Sequence, residues 1–349
     1  MRINPHFPTT LLEGPLAKTL LPFSWVYGAA ALLGRRWRAA HAEKLDKPVL
    51  SIGNITCGGT GKTPVVELVA RDLLQLGRKP AILSRGYGAT RSRSSGGFLH
   101  NDEYLVLRAN LPQVPHLQGK QRVVLGREAI RQGADVLILD DGFQHVRLKR
   151  DADIVLIDAL APFGFGRVLP AGLLREPLGA LCHATLFGIT RCDQVEPRTL
   201  STLRSYLRCR FPAIPQVQLS TRPIEWVGID GKRASLESLS GRAVLAFCGI
   251  GNPEAFRRQI VGLGLDVRAF VRFRDHHAYS RQDIATLHQR MLKCAAVEVV
   301  MTQKDAVKIP HDEATAPWKH LRIAAMICAG DDVYRAALRR ALESRPHAS

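Results

Sequence analysis

Short apolar runs alternate with longer amphipathic stretches along most of this 349-residue chain. The apolar run at 49–52 leads into a glycine-rich segment, and the amphipathic run at 65–76 that follows ends at Gly77. Continuous apolar runs are typical of strands buried on both faces, whereas amphipathic runs that end at glycine are typical of helices. This part of the chain is therefore predicted to form a strand, a glycine-rich turn and a helix.

The same alternation continues toward the C-terminus and predicts an α/β fold with a doubly wound parallel sheet. Further strands are predicted at 80–84, 134–140, 153–158, 184–189, 243–247, 267–273, 297–301 and 321–327, and an Arg-rich helix at 334–342. Between 211 and 242, prolines and alternating polar and apolar residues indicate a β-rich linker. The predicted domains are an N-terminal segment at 1–45, a P-loop NTPase-like core at 46–212, the linker at 213–242 and a smaller α/β domain at 243–349.

The N-terminal segment has an apolar stretch at 19–33 that is followed directly by an arginine-rich cluster at 35–38. The stretch contains Phe23, Trp25 and Tyr27, and it is shorter than the ~20 residues that a membrane-spanning helix needs. Aromatic residues beside arginines are typical of a helix that lies in a membrane interface. A helix packed on the protein core fits the same stretch, and the sequence leaves both interpretations open.

The glycine-rich segment between Ser51 and Pro64 has the features of a phosphate-binding loop. Glycines let backbone N–H groups converge on an anion at the positive end of the helix dipole. Lys62 is placed to reach the outer phosphates, and the Thr63 hydroxyl is placed to bind Mg²⁺. Thr56 stands where the usual pattern has its first glycine, and a glycine-rich turn without a ligand is the alternative. The predicted nucleotide-binding residues are Thr56, Cys57, Gly58, Gly59, Thr60, Gly61, Lys62 and Thr63.

Two carboxylates, Asp140 and Asp141, end the predicted strand that begins at residue 134. A strand buried in a parallel sheet exposes such acids only at its C-terminal end, where ligands bind in open α/β sheets. We therefore predict that Thr63 and these two carboxylates hold Mg²⁺ beside a nucleoside triphosphate. Either acid could bind the metal directly or through water.

Composition narrows the class of protein further. Hydrophobic residues make up 46% of the chain and charged residues 23%, as in soluble globular proteins. The net charge of +18 favours polyanionic partners such as lipid headgroups, nucleic acid or phosphorylated substrates, although a generally arginine-rich proteome gives the same excess. The seven cysteines are scattered without a C-x-x-C pair, which argues against a zinc site or a disulfide framework and favours a reducing compartment.

Six motifs in order resemble the tetraacyldisaccharide 4'-kinase family, and together they cover nearly the whole chain. They lie at 53–64, 84–88, 140–145, 173–176, 275–276 and 301–308. The family carries threonine at the position of Thr56, so the resemblance accounts for the missing glycine. It implies an enzyme that uses ATP and Mg²⁺ to phosphorylate the 4'-hydroxyl of tetraacyldisaccharide 1-phosphate, giving lipid IVA in lipid A biosynthesis. It also implies a monotopic protein at the cytoplasmic face of the bacterial inner membrane, with an anionic membrane surface as partner and no obligate protein partner.

The resemblance also implies roles for single residues. Asp102 matches the family's base and His276 the histidine that supports it, which places the pair in two different predicted domains. The family reads Gly-Asp-Glu where this chain has Asn101-Asp102-Glu103, in an acidic turn before an apolar run at 104–107 interpreted as a strand. Lys62 is the third catalytic candidate, and the candidate substrate-binding residues are Gln144, His145, Arg175 and Glu176.

Two other classes of protein share single features with this chain. Membrane-associated partitioning ATPases have a similar Gly-Gly-x-Gly-Lys-Thr loop, but they carry lysine at the position of Cys57. A nucleic-acid-dependent NTPase is suggested only by the charge, because the sequence has neither an RNP-like aromatic motif nor a zinc ribbon. We therefore expect no nucleic-acid partner.

Overall fold

Helices and strands alternate along the chain, as the α/β prediction requires. The computed structural model describes residues 15–86, 90–91, 99–309 and 318–343. Its helices are α1 (Pro15–Ala40), α2 (Lys62–Gln75), α3 (Asp102–Asn110), α4 (Arg122–Arg131), α5 (Pro197–Arg210), α6 (Pro253–Gly262), α7 (Arg281–Lys293), α8 (Gln303–Ala306) and α9 (Asp331–Glu343). Its strands are β1 (Val49–Asn54), β2 (Pro80–Ser84), β3 (Thr90–Arg91), β4 (Leu99–His100), β5 (His116–Gln118), β6 (Val136–Asp140), β7 (Ala152–Asp158), β8 (Leu186–Thr190), β9 (Gln216–Gly228), β10 (Arg233–Ala234), β11 (Ala243–Cys248), β12 (Asp266–Arg272), β13 (Glu298–Thr302) and β14 (Trp318–Ala329).

The chain divides into two compact units whose bounds differ from the domains proposed from the sequence. The first lies within Met1–Gly86, Asn110–Thr221 and Ala325–Ser349, and the second within Tyr87–Ala109 and Arg222–Ala324. Most of α3 is therefore in the second unit, and α9 is in the first. Helix α9 lies there because its buried Tyr334 hydroxyl donates a hydrogen bond to Asp72 of α2, at 2.6 Å.

The first unit is built on a parallel sheet with the strand order β5-β2-β6-β1-β7-β8-β9. Strands β1, β2, β6, β7 and β8 are buried along their whole length, which explains their continuous apolar sequences. Because the strands are parallel, the residues that follow β1, β6, β7 and β8 all emerge at one edge of the sheet. Ligands bind at this edge in open α/β sheets.

The second unit contains a smaller parallel sheet with the order β12-β11-β13-β14. Two of its helices start at side-chain caps that are visible in the sequence. The Asn252 side chain accepts the N–H of Ala255 at the start of α6, and Ser280 and Asp283 form a reciprocal capping box at the start of α7. The predicted second α/β run is therefore present.

The apolar run at 104–107 is helical, so its interpretation as a strand is wrong. Helix α3 begins at Asp102, and the Asn101 side chain accepts the N–H of Tyr104 at 3.0 Å. Asn101 thus acts as an N-cap. The acids in the first turn also interact favourably with the helix dipole. A short apolar run does not by itself distinguish a helix from a strand. Here the polar residues before the run cap a helix and show that the run is helical.

Helix α1 is held on the first unit by polar groups. Ser24 Oγ accepts the N–H of Ala171 at 2.9 Å, and the Tyr27 hydroxyl donates to the Arg175 carbonyl at 3.1 Å. The buried Arg35 contacts the buried Glu176 carboxylate at 2.7 Å. Helix α1 therefore packs on the protein, as the interpretation of a helix packed on the core predicts.

Much of the remaining surface of α1 is apolar and exposed, as the membrane-interface interpretation predicts. Its large apolar side chains that are more than half exposed are Phe23, Trp25, Val26, Leu33 and Trp37. Among the described residues, no helix is both long enough and apolar enough to cross a membrane.

We expect Arg35→Met to lower the free energy of unfolding by about 3–5 kcal/mol, because it removes the guanidinium that the buried Glu176 carboxylate contacts. Urea unfolding measures this change. Arg36→Met removes the same charge from an exposed position on the same helix and should cost less than about 0.5 kcal/mol. A loss no larger than that of the control would contradict the role of the ion pair.

Candidate active site

The segment between β1 and α2 turns sharply at its glycines. Gly58 has a φ of 113°, and Gly61, the residue before α2, has a φ of 78°, which favours glycine at both positions. A Cβ atom added at Gly59 or Gly61 would meet no described atom within 4 Å. The loop therefore faces open space at the N-terminus of α2, where the helix dipole favours an anion.

Lys62, the first residue of α2, contacts polar groups at the ends of β1 and β6. Its Nζ lies 3.2 Å from Asn54 Oδ1 and 3.6 Å from Asp141 Oδ1. Asn54 in turn donates a hydrogen bond to the Thr56 carbonyl at 2.7 Å. These contacts hold the ammonium group beside the loop, with only 10% of the side chain exposed.

The two carboxylates after β6 differ in their surroundings. Asp140 ends the strand and is buried, while Asp141 follows with a left-handed backbone φ of 52°. The Asp141 carboxylate contacts the Arg175 guanidinium at 2.9 Å. Burial raises the pKa of Asp141, but Lys62 and Arg175 more than offset this and hold the pKa below its ordinary value. Asp141 is therefore ionised at neutral pH.

The oxygen groups at this edge of the sheet fit Mg²⁺. The Thr63 hydroxyl and the carboxylates of Asp140 and Asp141 are hard oxygen ligands, which Mg²⁺ prefers. Within the described ranges, no three His, Cys, Asp or Glu side chains form a group that could hold a metal by themselves. Mg²⁺ is usually bound by one or two carboxylates together with substrate phosphates. The residues present therefore suit a nucleotide-bound Mg²⁺ rather than a cage made only of protein ligands.

The four candidate substrate-binding residues lie in different surroundings. Gln144 Nε2 donates to the Asn54 carbonyl at 2.8 Å, so Gln144, like Arg175, lies beside the loop. His145 Nε2 is buried with no hydrogen-bond partner in the described part of the chain, and burial together with nearby arginines lowers the pKa of His145 to about 4. Glu176 contacts Arg35 of α1. The structure thus brings two of the four residues to the loop, keeps His145 neutral and ties Glu176 to the N-terminal helix.

Sequence reasoning missed three residues that lie close to the loop. Thr190 Oγ1 donates to the Thr60 carbonyl at 3.0 Å, and Arg191 Nη2 donates to the Gly59 carbonyl at 2.6 Å. Arg191 also forms an ion pair with Asp158 at the end of β7. Asp140 is a candidate because it is a polar residue at the end of a buried strand. Asp158 and Thr190 also end buried strands, so the same pattern could have identified them.

A second group of polar residues lies in the second unit, around the start of α3. Asp102 Oδ2 is 3.0 Å from His276 Nδ1 and 3.5 Å from Lys308 Nζ. Burial raises the pKa of Asp102, but the hydrogen bond with His276 and the charge of Lys308 hold the pKa below its ordinary value. The sequence-based division put Asp102 and His276 in different domains, whereas the structure puts both in one unit.

Lys308 is held in place by a buried carboxylate. Asp305 is fully buried and accepts hydrogen bonds from the Gly249 N–H at 3.0 Å, the Tyr279 hydroxyl at 2.8 Å and the Thr302 hydroxyl at 2.6 Å. Lys308 Nζ lies 3.2 Å from Asp305 Oδ1. The motif at 301–308 therefore fixes a cation beside the carboxylate at the start of α3. A fixed, ionised carboxylate that is bonded to an imidazole can accept the proton of a hydroxyl group.

We expect Asp102→Asn to lower the pKa of His276, because the hydrogen bond that the His276 ring donates to Asp102 is the largest cause that raises it. Titration of the His276 ring by NMR measures this pKa. Asp275→Asn, which removes a carboxylate 3.9 Å from His276 Nε2, should lower the pKa less. Equal decreases in the two variants would contradict a specific pairing of His276 with Asp102.

The chain is similar to known proteins over nearly its whole length. The sequence profile of the family LpxK, described as tetraacyldisaccharide-1-P 4'-kinase, matches residues 16–343. The tetraacyldisaccharide 4'-kinase of Anaeromyxobacter sp. (strain K) is 38% identical over 355 residues, covering 96% of this chain and 92% of that protein. The tetraacyldisaccharide 4'-kinase of Syntrophobacter fumaroxidans is 39% identical over 317 residues, covering 87% of this chain and 82% of that protein.

A solved structure supports the same relationship. The crystal structure of LpxK from Aquifex aeolicus in complex with ATP superimposes with a TM-score of 0.74 at 27% sequence identity, covering 94% of this chain and 99% of that chain. The doubly wound α/β fold predicted from the sequence is thereby confirmed. The family profile, the relatives at about 38% identity and the solved structure each match the chain over the residues of the loop and of the Asp102 group. The chain therefore belongs to the tetraacyldisaccharide 4'-kinase family.

Proposed function

We propose that the two residue groups described above carry out the family's reaction, the ATP-dependent phosphorylation of the 4'-hydroxyl of tetraacyldisaccharide 1-phosphate to lipid IVA. The observation that carries this proposal is the glycine loop with Lys62 and Thr63 next to Asp140 and Asp141, in a chain of this family. Enzymes accelerate phosphoryl transfer mainly by positioning the reactants and neutralising charge. The loop group neutralises charge on the phosphates, and the Asp102 group positions the acceptor hydroxyl.

The loop of the first unit binds the triphosphate of ATP. Its backbone N–H groups and the dipole of α2 attract the phosphates, and Lys62 places a positive charge beside them. Thr63 and one or both of the carboxylates Asp140 and Asp141 hold Mg²⁺, which supplies positive charge to the phosphate oxygens when it is bound. Arg175 keeps Asp141 ionised and correctly oriented for this task.

Asp102 of the second unit accepts the proton of the sugar hydroxyl. Its carboxylate is held by His276 Nδ1 and by Lys308, so it presents a fixed oxygen to the acceptor. The transition state of phosphoryl transfer is loose, and the hydroxyl keeps its proton until late in the reaction. Orientation of the hydroxyl therefore counts for more than the basicity of the carboxylate, which explains why a low pKa is compatible with this role.

The direct test is to incubate the protein with ATP, MgCl₂ and tetraacyldisaccharide 1-phosphate in detergent micelles and to detect the bisphosphorylated product by mass spectrometry. We expect Asp102→Asn to reduce kcat on the order of 10²-fold while the affinity for ATP stays nearly constant, because the base acts on the acceptor. Lys62→Ala should instead weaken ATP binding itself.

Asp266→Asn is the matched control, because it removes an exposed carboxylate from the same unit and should leave turnover unchanged. Wild-type protein that forms no bisphosphate would overturn the proposed reaction. An Asp102→Asn enzyme with near-normal kcat would overturn only the assignment of the base.

The exposed face of α1 supports a peripheral position on an anionic membrane, at the cytoplasmic face of the bacterial inner membrane. The acceptor carries acyl chains and a phosphate, so the enzyme must meet it at a lipid surface. Trp25 and Leu33 are 73% and 65% exposed, and the exposed Arg36 follows them on the same helix. Aromatic and aliphatic side chains next to cations are suited to the boundary between acyl chains and headgroups.

We expect the double substitution Trp25→Ser and Leu33→Ser to reduce binding to vesicles of phosphatidylethanolamine and phosphatidylglycerol at least about tenfold, because two apolar side chains no longer leave water. Sedimentation with the vesicles measures this binding. The control is the double substitution Val261→Ser and Leu292→Ser, whose side chains are 54% and 65% exposed on α6 and α7. Equal losses in both variants would contradict a specific role for α1.

A further inference from the structure

Two successive carbonyl groups of the phosphate loop are held by the residues at the end of β8. The Gly59 carbonyl accepts a hydrogen bond from Arg191 Nη2 at 2.6 Å, and the Thr60 carbonyl accepts one from Thr190 Oγ1 at 3.0 Å. Thr190 is buried, and the Arg191 side chain is 23% exposed. Both donors come from adjacent residues, so both carbonyl groups are turned toward the same strand end.

This arrangement fixes the direction of two N–H groups. In a trans peptide the C=O and N–H bonds lie in one plane and point in opposite directions. The peptide that carries the Gly59 carbonyl also carries the Thr60 N–H, and the peptide that carries the Thr60 carbonyl also carries the Gly61 N–H. The N–H groups of Thr60 and Gly61 therefore point away from the end of β8. A Cβ atom added at Gly61 would meet no described atom within 4 Å, so there is open space beside this part of the loop, at the start of α2.

Arg191 occupies a backbone position that would suit glycine better. Its φ of 56° and ψ of 32° are left-handed, a conformation that costs a bulky residue free energy. The same side chain forms an ion pair with Asp158, a buried carboxylate at the end of β7. A guanidinium has several donors in a rigid plane, so it can bind a carboxylate and a carbonyl at once, which the single ammonium of lysine does less well.

We propose that Arg191, anchored by Asp158 and assisted by Thr190, is a positioning residue that orients the Thr60 and Gly61 N–H groups toward the nucleotide phosphates. The inference rests on the proposed function, because it requires the triphosphate to bind at this loop. Arg191 acts through the backbone of the loop. Loss of its side chain lets the Gly59–Thr60 peptide rotate, and the N–H groups are then no longer held in the direction of the phosphates.

The test compares the dissociation constants of ATP, ADP and AMP in Arg191→Gly and in the wild-type protein, each with MgCl₂, by isothermal titration calorimetry. Glycine adopts the left-handed conformation freely, so this variant removes the side chain without adding backbone strain. We expect the affinity for ATP and ADP to fall on the order of tenfold, because charge-assisted hydrogen bonds to the outer phosphates lose their alignment. The affinity for AMP, which lacks those phosphates, should change much less.

Two further variants separate geometry from charge and from folding. Arg198→Ala removes one exposed positive charge from the nearby α5 and should leave the affinity for ATP unchanged. Arg191→Lys keeps the charge of Arg191 but not its planar fork, so we expect a smaller loss than in Arg191→Gly. Circular dichroism should show that all variants melt close to the wild-type temperature.

The outcomes also distinguish this inference from the proposed function. Wild-type protein that does not bind ATP would remove the basis of both. Wild-type protein that binds ATP and loses it in Lys62→Ala, while Arg191→Gly binds ATP normally, would overturn only the role of Arg191. Equal losses of affinity for ATP and AMP in Arg191→Gly would likewise contradict the role of Arg191. So would a strongly lowered melting temperature of Arg191→Gly together with normal ATP binding by Arg191→Lys.

Discussion

In our proposal the N–H groups of Thr60 and Gly61 have to face the phosphates, and contacts within the first unit fix the backbone of the loop on both sides of them. The Cys57 N–H donates to the Leu173 carbonyl at 2.7 Å, and the Ile55 carbonyl accepts the Arg175 N–H at 2.8 Å, so one segment fixes the first half of the loop. Thr190 and Arg191 fix the second half. Because β1, β7 and β8 are buried and parallel, the loop and β8's terminal residues emerge at the same edge of the sheet. A loop fixed in this way is ordered before a ligand arrives, so less conformational entropy is lost on binding.

Neighbouring polar and charged groups keep one carboxylate ionised in each of the two residue groups, in a chain with a net charge of +18. Asp141 contacts Lys62 and Arg175, and Asp102 contacts His276 and Lys308. In both cases burial alone would raise the pKa and favour the neutral acid. The charges of Lys62 and Arg175 outweigh this effect at Asp141, and the hydrogen bond with His276 together with the charge of Lys308 outweighs it at Asp102. Part of the positive charge therefore has a local function at these carboxylates.

The fold was predictable from the sequence because buried parallel strands require continuous apolar runs, and β1, β6, β7 and β8 each have one. The strand-to-helix context of the loop, and the acids at the end of β6, followed from the same pattern. The start of α3 was not predictable from apolar residues, since the segment 104–107 is too short to show a helical period. Asn101 contained the missing information, because its side chain caps the helix.

Long-range pairing is the part of the site that sequence reasoning could not supply. The ion pair of Arg35 with Glu176, the contact of Lys308 with Asp102 and the contact of Arg191 with Gly59 all join residues that are far apart in the chain. Glu176 was grouped with the substrate-binding candidates because of its place in a motif, and only the structure places its carboxylate against α1. Its ion pair with Arg35 anchors α1.

The measurement that most directly tests the central claim is the response of the loop's backbone amides to nucleotide, followed by ¹⁵N NMR during titration with ATP and MgCl₂. The amides of Thr60 and Gly61 should shift strongly and become protected from hydrogen exchange, because they face the phosphates. The Cys57 amide should respond little, because it already donates to the Leu173 carbonyl. Strong changes at Cys57 together with unchanged Thr60 and Gly61 amides would contradict the orientation of the loop on which the account depends.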